Sequence, residues 1–203
     1  MGLNIEYTKD PRAISTNLSH IVSEYNSFKT NMEKASNYMK SMDENWFGPE
    51  RDGFVTTWNR NLDVSNKYLK NMHDASINLN TRFKYFTNLL GFHTTDINVK
   101  ALTLSTFPSK NKSTGNVDSS KLLKTLSDYK TAMKDAIINL SNLKDQTTEN
   151  SIGIIDKANG GFGQDIKDFH QIVTHVYEQI SKLNKDTIGF VDTSISNLTR
   201  ANS

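Results

Sequence analysis

Asn45-Trp46-Phe47-Gly48-Pro49-Glu50 separates two long runs of helical periodicity, and its reading decides the fold. Upstream, Ile14, Leu18, Ile21, Tyr25, Phe28, Met32, Ala35, Met39 and Met42 recur at alternating spacings of four and three. That is the heptad seam of an amphipathic helix. Asp10-Pro11 opens it, an N-cap acid followed by proline at the first helical position. At 1.5 Å per residue the helix forms a rod of roughly 45 Å. Gly48 then permits a tight turn, and Pro49, with Glu50 and Asp52, suits the first turn of a new helix. Phe54, Trp58, Leu62, Ser65, Leu69, Met72, Ser76, Leu79, Phe83, Phe86 and Leu90 continue the pattern, and Gly91 stands where a C′ glycine would. Two such rods joined by so short a connection are expected to pack antiparallel.

Residues 92–117 break the periodicity, and Phe107-Pro108 with the polar Ser109 to Asn116 stretch reads as a linker. Asp118 is a good N-cap for a third helix, whose seam is Leu122, Leu126, Tyr129, Met133, Ala136, Leu140 and Leu143, then weaker Thr147 and Asn150, then Ile154. The glycine-rich Asn159-Gly160-Gly161-Phe162-Gly163 is expected to end it. A fourth helix follows on Ile166, Phe169, Val173, Val176, Ile180, Leu183, Thr187 and Phe190, fading near Leu198. A shift of 115 residues superimposes the halves. Ile14, Leu18, Ile21, Tyr25 and Phe28 fall on Tyr129, Met133, Ala136, Leu140 and Leu143. Phe47-Gly48 falls on Phe162-Gly163, Phe54 on Phe169 and Trp58 on Val173. The expectation is an all-α chain of two antiparallel hairpins in tandem, residues 1–95 and 118–203 with a 96–117 linker, packed as an elongated four-helix bundle. One hairpin leaves an apolar face uncovered, and a second can cover it as an internal pseudo-dimer, giving a monomer.

Composition fits long thin helices. Only 35% of residues are hydrophobic, mean hydropathy is −0.58, and glycine and proline number just 10 and 3. The charge is balanced, with 24 basic against 22 acidic side chains divided evenly between the halves, so nucleic acid and anionic membrane are poor partners. Cysteine is absent, which excludes disulfides and thiolate chemistry. Met1 to Pro11 has neither a basic nor an apolar leader region, so no cleaved signal peptide is expected.

Catalytic constellations are missing. The residues three before His20, His73, His93, His170 and His175 are Asn17, Lys70, Leu90, Lys167 and Ile172, so no Glu-x-x-His pair exists for a bundle metal site. No two histidines are four apart. Asp165, Asp168 and His170 lie close in sequence, but acids near a helix start are explained by the helix dipole. Gly160-Gly161-Phe162-Gly163 lacks the preceding strand and lysine of a phosphate loop. Neither enzyme, metal nor cofactor is expected.

A helical hairpin of about a hundred residues with Trp-x-Gly in its turn, here Trp46-Phe47-Gly48, resembles the WXG100 family. In the second half Gly161 stands where Trp46 does in the first. The resemblance implies a substrate or co-secreted partner of a type VII (ESX-like) bacterial secretion system, bound by the secretion ATPase or by a second exported protein. It implies a secreted or cell-surface destination without a cleaved signal peptide. The family's export signal is Tyr-x-x-x-Asp/Glu after the second helix. No tyrosine here has an acid four residues on, and the nearest analogue is Phe92 with Asp96. Trp46, Phe47, Gly48, Phe162 and Gly163 are the candidate turn and partner-binding residues. The competing expectations are a pore-forming type of helical protein, with Phe86 to Phe92 as its apolar segment, and a cytosolic adaptor.

Overall fold

The computed structural model describes residues 5–90, 96–97, 99–107, 117–157 and 161–202, without the side chains of residues 86, 89 and 90. Among the described residues the fold is all-α apart from two three-residue strands. The order is β1 (Ile5–Tyr7), α1 (Pro11–Asn45), α2 (Pro49–Leu90), α3 (Ser119–Gln146), α4 (Glu149–Ile152), β2 (Ile154–Asp156) and α5 (Gly161–Ala201). The expected caps form. The Asp10 carboxylate accepts from the Arg12 and Ala13 amides at 2.9 Å, and that of Asp118 accepts from the Lys121 amide at 2.9 Å. Each satisfies helix-end donors that would otherwise lack partners.

All nine seam residues of α1, from Ile14 to Met42, are buried, as are those of α2 from Phe54 to Phe83. On α5 the seam departs from expectation after Thr187. Val191 and Ser194 turn inward, and Phe190 lies to one side, its ring against Gly53.

The helices pair in an order that adjacency in sequence does not give. α1 packs on α3, α2 on α5, and α3 on α5. Each pair is antiparallel. Glu44 meets Lys121 and Asn17 meets Ile152 across α1 and the α3–α4 region. Ser65 meets Gln179 and Arg82 meets Asp165 across α2 and α5. Lys130 meets Asp192 and Thr147 meets His170 across α3 and α5. The consecutive helices α1 and α2 therefore run antiparallel as well, but they are not packed against each other as the short turn led us to expect.

What lies beside them is residues 96–97 and 99–107, which the sequence reading took for linker. Ile97, Val99, Leu104 and Phe107 are each at most 2% exposed and belong to the same core as the helices. Burying side chains of this size stabilises by about 1.5–3 kcal/mol each, enough to hold an extended chain in place. We call this segment the strap.

The third helix is also shorter than its seam suggested. It stops at Gln146; Thr148 caps the single turn of α4, accepting from the Ser151 amide at 3.1 Å, and Ile154 is buried from a strand instead of a helix. β2 pairs antiparallel with β1 in the register Ile5 to Asp156 and Tyr7 to Ile154, tying the N-terminal segment across this end of the bundle. Gly153 makes the link at φ +97°, with its carbonyl accepting from the Thr8 amide and the Lys9 Cβ only 2.8 Å from where its own Cβ would stand. Gly153→Ala is expected to cost about 2 kcal/mol, from left-handed strain and this contact, read as a lower denaturation midpoint.

Candidate functional site

Trp46 ends α1 as its C-cap, its amide donating to the Met42 carbonyl at 2.8 Å. Gly48 turns the chain at φ +96°, and Pro49 begins α2. The indole points inward. Trp46 is 2% exposed, its Nε1–H donates to Ser194 Oγ at 2.9 Å, and its ring lies 5.3 Å from that of Phe54. Phe54 in turn stacks on Trp58 at 6.0 Å and receives Phe107 and Tyr129 edge-on at 5.6 and 5.5 Å. Three helices and the strap thus share one aromatic cluster. Beside it, Arg51 Nη2 bonds the Asp43 carboxylate at 2.6 Å, with its guanidinium 5.5 Å from the Phe107 ring centroid. Both charged residues are under 9% exposed. Trp46 is therefore a packing residue of this end. What the turn offers to solvent is half-buried Phe47 and exposed Gly48, next to a shallow 240 Å³ groove that Val117 and Leu198 also line.

The other sequence candidates lie elsewhere. Phe162 and Gly163 do not form a turn; they occupy the first turn of α5. Phe162 is buried edge-on against Phe83 at 4.9 Å. The Gly163 amide donates to Asp156 Oδ2 at 3.3 Å, and a Cβ there would meet Asp156 Cβ at 2.7 Å. Since α5 is antiparallel to α2, this pair sits at the opposite end of the bundle from Trp46. Phe92 lies outside the described residues, as do Gly91 and part of Phe86 to Phe92. Asp96 is exposed and pairs with Lys84 at 3.0 Å. Asp165, Asp168 and His170 do not converge on one point. Arg82 holds Asp165 at 3.1 Å, Gln164 donates to Asp168 at 2.7 Å, and His170 meets Thr147 at 3.0 Å. Burial raises the Asp165 carboxyl above its usual range, with Arg82 opposing. Among the described residues no group of three metal-binding side chains converges, and no helix is long and apolar enough to cross a membrane.

The strap carries an arrangement that the sequence reading missed. An extended chain without a partner strand leaves its backbone groups unpaired unless side chains serve them. On α2, Asn59, Asn66, His73 and Asn80 stand seven residues apart on one flank, all half-buried. Asn59 Oδ1 accepts from the Phe107 amide at 3.1 Å. Asn66 takes both groups of Leu104, accepting from its amide at 2.8 Å and donating to its carbonyl at 3.0 Å. His73 Nδ1 donates to the Val99 carbonyl at 2.7 Å, and Asn80 Oδ1 accepts from the Ile97 amide at 2.8 Å. Trp58 Nε1 adds a bond to the Ser105 carbonyl at 3.1 Å. From α1, the Tyr25 hydroxyl donates to the Lys100 carbonyl.

The two anchored spans match in overall length. Twenty-one helical residues rise about 31 Å, and ten extended residues from Ile97 to Phe107 span about 33 Å. The strap therefore runs antiparallel to α2 over the same overall length, advancing three, five and two residues between successive anchors from Phe107 to Ile97. The signal was present in the sequence as Asn, Asn, His and Asn at a period of seven, on the flank of a seam already in view.

Comparison with protein-family models, with curated proteins and with solved structures finds no match to this chain.

Burial pushes the Tyr25 hydroxyl up to about 12 from 10.0, with Glu33 adding to the effect. Its folded pKa lies above the unfolded one, so its contribution to stability is intact below pH 10 and is lost as pH rises from 10.0 towards about 12. Ionisation also removes the proton donated to Lys100. Denaturation midpoints measured across that window should fall, and the fall should be smaller in Tyr25→Phe.

Proposed function

We propose that this chain is a non-enzymatic substrate or co-secreted partner of a type VII (ESX-like) secretion system, built as a fused pair of helical hairpins. The supporting observation is where the halves cross. In a pseudo-dimer with a two-fold axis, antiparallel copies meet at a residue facing its own repeat equivalent. At the 115-residue offset Asn139 is the equivalent of Glu24, and the two bond each other at 3.0 Å. Gln179 is the equivalent of Val64, and it bonds the next residue, Ser65, at 3.2 Å. Both crossings fall near repeat-equivalent residues, which supports the reading of two related halves, with Asn139 also bonding Asn31 at 3.0 Å and with α3 packed on α5 where α1 is held off α2. The antiparallel packing of α2 and α5 puts the Trp46 turn and the start of α5 at opposite ends.

Covalent fusion keeps the second hairpin at high effective concentration, so one chain supplies what the family makes from two. The halves are unequal. Only the first has the tryptophan and only the first is spread by a strap, so a recognition feature belongs to that half.

The test is export. In a bacterium that makes the protein, it should be found in the culture medium with its N-terminal residues uncleaved, and should remain in the cells when the secretion ATPase is deleted. Equal release from both strains would reject the proposal.

A further inference from the structure

We propose that the cleft between α1 and α2 is a binding site for an extended protein segment, which the strap occupies in cis. The ligand class follows from what the cleft recognises. Asn59, Asn66, His73, Asn80, Trp58 and Tyr25 all bond main-chain atoms of the strap, which every peptide carries. Specificity comes from the places taken by Ile97, Val99, Leu104 and Phe107, while the intervening Lys100, Ala101, Thr103, Ser105 and Thr106 face solvent. The partner is therefore an extended stretch of protein with apolar residues at that spacing.

The ladder is arranged as a receptor for such a chain. α1 and α2 are not packed on each other, so the space the strap fills is not made by closing a hairpin around it. Asparagine is a weak helix former, and three stand on one flank of α2 because their amides supply the donors and acceptors that a neighbouring strand would. Recognition of main chain by side-chain amides, with apolar residues at intervals of two, five and three entering the core, resembles strand addition carried out by a helix. The cis strap competes at high local concentration, so an incoming segment binds only when the strap is released. The inference concerns this cleft and does not depend on the export route.

The probe is a synthetic peptide of residues 96–107 with an N-terminal fluorophore, titrated into the full-length chain carrying Leu104→Ser and Phe107→Ser. The substituted chain should bind the peptide, and the unsubstituted chain should not. Adding Asn66→Ala and Asn80→Ala removes three main-chain bonds and should weaken binding on the order of a hundredfold. A folded, substituted chain that ignores the peptide, or takes a scrambled one equally well, would overturn the proposal.

Should the substituted chain not fold, hydrogen exchange on the unsubstituted protein decides. The Ile97, Leu104 and Phe107 amides should exchange through an opening that leaves the α3 and α5 amides protected. Exchange of all of them only in global unfolding would show that the strap is fixed and the cleft closed to any other chain.

Discussion

Phe107→Ala should lower the stability of this protein by about 3–5 kcal/mol, the loss typical of emptying a buried phenylalanine site. A phenylalanine in a surface connection would cost no more than about 0.5 kcal/mol. The magnitude thus separates strap from linker. Phe107 is 1% exposed, meets Phe54 edge-on at 5.6 Å and lies under the Arg51 guanidinium. Alanine would leave a void between these groups that rigid neighbouring helices cannot close. Urea denaturation followed by helical circular dichroism gives the midpoint and slope. A smaller midpoint with unchanged slope is expected, because the surface exposed on unfolding stays nearly the same.

Arg51→Ala should cost a similar amount, about 3–5 kcal/mol, for a different reason. Asp43 is 8% exposed and bonds Arg51 at 2.6 Å, so removing the guanidinium leaves a carboxylate at this end of the core without its counter-ion. Arg51 also packs its stem beside Phe107, so part of the loss is contact. Replacing both partners with apolar residues of similar size, Asp43→Leu with Arg51→Met, should recover most of the stability. The penalty belongs to the unpaired charge more than to the pair itself. If the double variant is no better than the single one, the pair is worth more than its desolvation cost, and the Asp43 environment is wetter than its burial indicates.

The sequence made the helices legible where periodicity and caps agreed. The α1 seam, the Asp10 and Asp118 caps and the Gly48-Pro49 turn all stand as read, because each depends on local geometry alone. Partner choice was another matter. Nothing in the heptads of α1 says that α3 and not α2 will cover it, since any apolar stripe satisfies any other. The strap was hidden by its composition. Ile97, Val99, Leu102 and Leu104 recur at spacings of two, three and two, too irregular to read as a strand, and Asp96, Asn98, Lys100 and Thr103 around them gave the segment the look of a polar connection. Its anchors sat on another element, half a helix away. The Phe162-Gly163 likeness to Phe47-Gly48 was a match in letters only. Gly48 needs its positive φ, whereas Gly163 is a helical residue made small by the Asp156 side chain against it. Trp46, a candidate partner-binding residue in the sequence, lies inside, with its indole bonded to Ser194.

The claim on which the rest depends is that one chain supplies both halves of the bundle. The molar mass in solution tests it most directly. Light scattering across the micromolar range should give a single species at 23.0 kDa, unchanged on dilution. A stable species of twice that mass, dissociating only with loss of helicity, would mean that the core is completed by a second copy and would contradict the internal pseudo-dimer.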